Sequence, residues 1–320
     1  MKFSFTDDQR MFAEGLRDLL ANECPASLVR ETWEHGTGHS PALWSRLAEM
    51  GVLSILVPES AGGMGGSYVD AVLLFQELGR AGAPGPVLET MAVAAPALAG
   101  TEFGAGLVDG SCVATLWVDR SPYVAHAHVA DVILRDDSTV TGFTATDVHG
   151  IDGARRLFTV TGGESKPADA SFNGVAASDA MALATAAYMI GLGERMIAIA
   201  ADYARQREQF GKPIGSFQAV KHLMSHALLK VEFAKAPTYR AAYSLATGAA
   251  TATRDVSMAK ALASEAAYRS SRGSMQTHGG IGYTWEADLQ LFMKKAWALQ
   301  RAYGDAVFHR RRVSASVLSS

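Results

Sequence analysis

Residues Arg205 to Gln218 read RQREQFGKPIGSFQ, and the fold follows from how this stretch is read. A helix arriving at Arg205 cannot continue through Pro213, and Gly211 can adopt the left-handed turn that ends a helix. The chain therefore turns a corner at Phe210-Gly211-Lys212-Pro213, and a new helix is expected near Ser216. Such a corner offers the guanidinium of Arg207, the aromatic face of Phe210 and free backbone N–H groups at the next helix start, a set suited to a pyrophosphate. A second stretch, MQTHGGIG from Met275 to Gly282, supplies two adjacent glycines where backbone can lie against a flat or phosphorylated ligand.

Together the two stretches resemble the acyl-CoA dehydrogenase flavoprotein family, which carries R-x-x-F-G-x-x-(I/L)-x-x-x-Q and, one helix hairpin later, Q-x-x-G-G-x-G. The matching residues are Arg207, Phe210, Gly211, Ile214, Gln218, Gln276, Gly279, Gly280 and Gly282. The resemblance implies FAD as cofactor. It also implies that Arg207, Gln209, Phe210, Gln218, Gln276, Gly279 and Gly280 hold its adenosine diphosphate half, usually on the FAD of a neighbouring subunit.

The chain of 320 residues can bury a large core and hold two or three domains. A net charge of −3, with both signs spread along the chain, argues against nucleic acid as a partner. Cys24 and Cys112 form no metal-type cluster and no disulfide scaffold. His222 and His226 have a metal-compatible spacing but lack a third ligand, so no metal is expected. The first residues are polar and acidic, unlike a signal peptide, and apolar runs such as Met91 to Leu98 are too short to span a bilayer. An intracellular, cytoplasmic protein without membrane contact is the expectation.

Three regions follow along the chain. Residues 1–102 read as a helical domain: Thr6 and Gln9 form a capping box, Ser40-Pro41 opens a second helix, and Tyr68 to Leu78 and Pro86 to Ala99 give two more. The phrase MGVLSILVPESAGGMGG from Met50 to Gly66 again resembles the family, where its glycine-rich loop lies near the acyl cavity; a plain surface loop is the other reading. Residues 103–172 read as a reduced middle β domain with strands at Cys112 to Val118, Val129 to Leu134 and Leu157 to Val160. The family's ring-binding Gly-x-Lys element and tryptophan–hydroxyl pair are absent there, and Trp117 reads as a core residue. Residues 173–320 read as a four-helix bundle: a helix capped by Ser178 or Asp179 and running to Arg205, then Gln218 to Thr247, Arg254 to Gln276 and Glu286 to Arg312. The fold class is thus mainly α with a small β domain, acyl-CoA dehydrogenase-like.

The chemistry the resemblance implies needs a carboxylate to remove the α-proton of a CoA thioester. In most members this is the Glu of a Tyr-Glu-Gly-Thr phrase about two turns past an Arg-Asp pair. Counting on from Gly280, the phrase falls on Ala302-Tyr303-Gly304-Asp305 and the pair on Lys294-Lys295, so Tyr303 holds the base position. A phenol is protonated at neutral pH and is a poor base. The other site the family uses falls on Met181. Asp305, Asp179 and Glu286 are substitute acids, each with an ordinary capping or helix-dipole role available. HGGIGYTWE and YGDAVFHRRR most resemble the short subunits of actinobacterial acyl-CoA dehydrogenases that act on steroid side chains in mixed assemblies. The resemblance therefore implies the non-basic subunit of a heterotetramer acting on an acyl-CoA, with a second acyl-CoA dehydrogenase-like subunit as partner and an electron-transfer flavoprotein as acceptor. A homo-oligomeric flavoenzyme with a displaced base and a non-catalytic assembly or CoA-thioester-binding member are the alternatives.

Overall fold

The structure, a computed structural model, describes residues 4–118, 121–136, 138–168 and 174–318. The capping box forms as read: Gln9 N donates to Thr6 Oγ1 at 3.2 Å, Thr6 N donates to Gln9 Oε1 at 2.9 Å, and α1 (Asp7–Glu23) follows. Pro25 then opens α2 (Ala26–Glu34), a helix not anticipated from the sequence. Ser40 Oγ accepts from Leu43 N at 3.3 Å and starts α3 (Pro41–Glu49) with proline at its first turn. The glycine-rich loop closes onto the buried turns before it; a Cβ on Gly63 would sit 2.3 Å from the Val57 carbonyl.

Beyond it lies α4 (Tyr68–Ala81), capped by Ser67. The apolar helix expected over Pro86 to Ala99 is Val87–Ala97, made of α5 (Val87–Glu89), a π-turn at Thr90–Ala94 and α6 (Ala95–Ala97). Its irregularity has a cause in Pro96, which has no N–H for the Ala92 carbonyl. Tyr68 Oη donates to that carbonyl instead, at 3.0 Å.

Helix does not stop at Phe103 as expected, since α7 (Gly104–Asp109) precedes the sheet. The sheet holds β1 (Ala114–Trp117), β2 (Val124–Ala125), β3 (Val132–Arg135), β4 (Ser138–Val148) and β5 (Leu157–Pro167) in the order β1-β3-β4-β5-β2. Only β1 and β3 are parallel. A small separate core of Val124, Ile133, Val140, Phe158 and Val160 lies under it. Trp117 is half-buried, with the Arg135 guanidinium 4.2 Å above its ring.

In the C-terminal half the helices are α8 (Gly174–Gln206), α9 (Gln218–Ala246), α10 (Ala252–His278), α11 (Leu289–Arg301) and α12 (Ala306–Leu318). Three expectations are corrected. Ser178 and Asp179 lie inside α8 and cap nothing; Asp179 is buried, accepts from Thr253 Oγ1 at 2.6 Å and pairs with Arg312 at 2.8 Å. The last helix is two helices broken at 302–305, and Glu286 lies in the turn before α11 rather than in a first helical turn. A third concerns apolar length: Ala176–Gln206 is a 31-residue helix long and apolar enough to cross a membrane, yet it is packed among α4, α9 and α10.

Helices α4 and α8 meet backbone to backbone. A Cβ on Gly79 would lie 2.0 Å from the Tyr188 carbonyl, and one on Gly191 would lie 1.9 Å from the Gln76 carbonyl. Gly79→Ala or Gly191→Ala forces these backbones apart and is expected to cost about 2–3 kcal/mol in chemical denaturation. At Gly100 a Cβ meets nothing within 4 Å, so Gly100→Ala is the matched control and should stay within about 0.5 kcal/mol of the parent.

Candidate active site

The corner at Arg207 to Gln218 is a tight hairpin, β6 (Glu208–Gln209) against β7 (Lys212–Pro213). Left-handed backbone was expected at Gly211 alone, but Phe210 adopts it as well, at φ 54 beside φ 77 for Gly211. Positive φ at both central positions is the type I′ turn, one of the two whose twist matches that of the flanking strands. Phe210 accepts this strained geometry while 92% exposed, with the edge of Phe217 6.2 Å away and little else around it. Ile214 N donates to Arg207 O at 2.8 Å, closing the turn, and α9 begins at Gln218 rather than Ser216.

At the other segment α10 ends on His278, and Gly279 takes φ 62 and ψ −138, a region closed to other residues. The two segments are neighbours because α8 and α10 pack along their length and end together. The rings of Tyr203 and His278 stack there at 4.4 Å, and His278 is oriented by its Nδ1 contact to Ser274 O at 2.8 Å. Arg207, Gln209, Phe210, Gln218, Gln276, Gly279 and Gly280 are all exposed at this end. Gln209 turns back to the Glu208 carbonyl at 2.7 Å, and Gln218 Nε2 donates to His222 Nε2 at 3.1 Å. Arg207 forms no ion pair among the described residues, and a Cβ at Gly279 or Gly280 would meet nothing within 4 Å. An unpaired guanidinium, a helix start and bare backbone fit the phosphates of a dinucleotide.

About the expected base position the structure is more definite than the sequence. Tyr303 has φ 57, Gly304 has φ 98, and together they break the last helix. Tyr303 Oη donates to Glu89 Oε1 at 2.5 Å. Arg155 lies 3.7 Å from Glu89 and donates to Tyr303 Oη at 3.4 Å. Glu89 is 3% exposed, so its pairing with Arg155 is what makes its burial tolerable. Burial and the Glu89 carboxylate push the Tyr303 phenol well above its ordinary range, so it stays protonated. A second buried pair, Lys295 with Asp152 at 3.3 Å, lies nearby, and a cavity of about 20 Å³ among Glu89, His126, Arg155, Tyr188 and Lys295 has room for one water. In front of Tyr303 opens a cleft of about 280 Å³ lined by Leu116, Tyr123, Ala125, Arg155 and Leu157.

The break itself is held from behind. Lys260, fully buried, donates to Leu299 O at 3.1 Å, Gly304 O at 3.2 Å and Ser264 Oγ at 3.2 Å, and its ammonium is pulled down to about 7 by burial. His309 Nε2 lies 3.0 Å from Tyr303 O, and Asp305 caps α12 by accepting from Phe308 N at 2.8 Å. Asp305 is thus a cap, Asp179 is paired with Arg312, and Met181 is apolar core. Sequence reasoning missed Glu89, Arg155 and Asp152. The signal for Glu89 was present, since it is the one acid in the apolar run VLETMAVAAPAL, and a lone carboxylate there has to find a buried partner.

Comparison with known proteins settles the family. A family model described as "Acyl-CoA dehydrogenase, N-terminal domain" matches residues 6–103, and one described as "Acyl-CoA dehydrogenase, C-terminal domain" matches residues 177–318. The chain is 34% identical over 300 residues to acyl-CoA dehydrogenase IpdE2 of Mycobacterium tuberculosis, covering 91% of each chain. It belongs to the acyl-CoA dehydrogenase family. This is a flavoprotein family of oxidoreductases acting on acyl-CoA. Its fold is similar to that of a chain in the ChsE4-ChsE5 complex from Mycobacterium tuberculosis, with a TM-score of 0.88 at 24% identity over 100% of both chains. It is also similar to a Tcur3481-Tcur3483 steroid ACAD chain, with a TM-score of 0.87 at 22% identity over 98% of this chain and 99% of that one.

Glu89→Ala leaves Arg155 charged and buried without its carboxylate and should destabilise the chain by about 3–5 kcal/mol in urea unfolding. A pH dependence follows from buried His309 and half-buried His39, both lowered by desolvation from 6.5 to about 4. In the unfolded chain both rings charge near 6.5, in the fold only near 4, so the unfolded state binds more protons across that interval. Their contribution is full above 6.5 and is lost as the pH falls towards 4, so the melting temperature should drop over that range and drop less in a His39→Gln/His309→Gln double variant.

Proposed function

We propose that this chain is the subunit without a catalytic base in a heterotetrameric, FAD-dependent acyl-CoA dehydrogenase that acts on a bulky CoA thioester such as a steroid side-chain acyl-CoA. The observation that carries this reading is the contact of Tyr303 with Glu89. At the position where the family keeps its glutamate stands a phenol, and that phenol already donates to a buried carboxylate paired with Arg155. Among the described residues Glu89 is the carboxylate in contact with Tyr303, and it is already engaged by Arg155. Asp305 and Asp179 have structural duties as a cap and an ion-pair partner, which weighs against either as a displaced base; Glu286 lies exposed in the turn before α11.

In this reading the end of the bundle serves the cofactor. FAD, when bound, supplies the hydride acceptor, and the partner subunit supplies the glutamate and most of the ring-binding surface. Arg207 neutralises the pyrophosphate, Gln209, Phe210, Gln218 and Gln276 border the nucleotide, and Gly279 and Gly280 let backbone approach it. All seven are exposed, as residues that complete a neighbour's site have to be. Assembly is further supported by exposed apolar side chains on α9 and α10: Leu228, Leu229, Phe233 at 69%, Met258, Leu262 and Tyr268. The mixed complexes named among the structural relatives, one of them on a steroid, point the same way. Domain boundaries at 102 and 172, a cytoplasmic location and an electron-transfer flavoprotein as acceptor complete the proposal.

The visible spectrum tests it. Purified alone the chain should be nearly colourless, and co-expressed with its partner it should carry the flavin band at about 450 nm. In that assembly Arg207→Ala should weaken FAD binding by about tenfold, the effect of losing roughly 1.4 kcal/mol at one charged hydrogen-bonding group. Asp305→Asn, which preserves the cap, should leave turnover unchanged. Tight flavin and acyl-CoA turnover by the lone chain would sink the reading.

A further inference from the structure

The turn that follows the two glycines is gripped by a helix from the opposite end of the sequence. On α2, Arg30 donates through Nη1 to Trp285 O at 2.7 Å and through Nη2 to Glu286 O at 3.4 Å, and it pairs with Asp288 Oδ1 at 2.6 Å. One turn further on, Trp33 meets Trp285 edge to face at 5.8 Å. The ammonium of Lys294 on α11 lies 4.1 Å from the Trp285 ring and 5.0 Å from the Trp33 ring, so a single cation faces both indoles. Gln290 completes the grip, donating to Trp285 O at 2.9 Å and accepting from Lys294 at 3.0 Å. Room for Trp33 depends on Gly153, where a Cβ would fall 1.7 Å from the indole.

These contacts converge on a turn, residues 283–288, that is mostly exposed. The entry of the Gly279–Tyr283 segment is fixed by the stack of His278 on Tyr203; its exit is held through Trp285, Glu286 and Asp288. We propose that α2, with Lys294, acts as a strut that holds the exit of this glycine segment in the geometry that receives the nucleotide. The proposal rests on the reading that Gly279 and Gly280 border the cofactor. Arg30, Trp33 and Lys294 are then positioning residues: they act through the segment and touch no ligand. Holding the segment beforehand removes an ordering cost that binding would otherwise meet. It also gives Lys294 a role in a place where the family keeps an arginine.

Hydrogen exchange on the full chain, followed at the amides of Gly280 to Trp285, reads the strut directly. Arg30→Ala removes the fork onto the turn. Lys294→Met keeps the alkyl stem and removes the charge, and Lys294→Arg restores a cation that stacks on indole. Exchange in this segment should rise about tenfold, equal to about 1.4 kcal/mol, in the first two variants and return in the third. FAD titrated into the flavin-stripped assembly with the partner subunit should bind more weakly by a similar factor in the first two, with rescue by Lys294→Arg. Unchanged exchange in both Arg30→Ala and Lys294→Met overturns the strut whatever FAD does. Faster exchange with unchanged FAD affinity overturns the link to the nucleotide and takes the assignment of Gly279 and Gly280 with it.

Discussion

The backbone contact between α4 and α8 is the constraint from which the rest of the arrangement follows. Two glycines facing two carbonyls let the N-terminal helices approach the bundle more closely than any pair of side chains would allow. Around that contact a chain of charges is drawn together: Glu77 binds Arg17 and Arg80, and Glu194 binds Arg80 and Lys235. These residues come from α1, α4, α8 and α9, so one network ties four helices at the edge of a contact that sterics made possible. Lines of packing then run from α4 through α8 to α10, and the ends of α8 and α10 carry the Arg207–Gln218 hairpin and the Gly279–Gly280 turn.

Within this frame the buried carboxylate of Glu89 couples the apolar helix Val87–Ala97, the sheet and the break before α12. An ion pair so deep adds little net stability, because desolvation offsets most of its attraction. What it supplies is a fixed position for Tyr303. Lys260 and His309 hold the same break from the other side through its carbonyls. The result is a rigid corner in which the Tyr303 hydroxyl is already engaged by Glu89 and Arg155.

How much of this could be read in advance depended on how local each cause was. The capping box at Thr6, the start at Ser40-Pro41 and the corner at Phe210 to Pro213 depend on a few neighbouring residues, and the structure has them. Strand β4, with the sequence STVTGFTATDV, has no clean apolar alternation and owes its form to pairing with β5. Helix α2 has few buried positions and is fixed by what it grips across the molecule. The break at Tyr303-Gly304 depends on Lys260, 44 residues earlier, so a continuous helix was the natural reading of Glu286 to Arg312. The corner after Arg207 was legible as a motif, whereas the contact of Glu89 with Tyr303 spans 214 residues and only the fold brings it together.

The long apolar helix α8 has a consequence for how the chain is made. As it leaves the ribosome it carries, over Ala176–Gln206, a 31-residue segment with the composition of a membrane span, and α9 and α10, which cover two of its sides, do not yet exist. Helix α4 does exist, and its Gly79 face is shaped for Gly191. Domains in growing chains generally form from the N-terminus onward, and an uncovered apolar surface invites aggregation. The first surface in the growing chain able to cover α8 is therefore α4, so the packing of these two helices is the first protection the apolar segment can have.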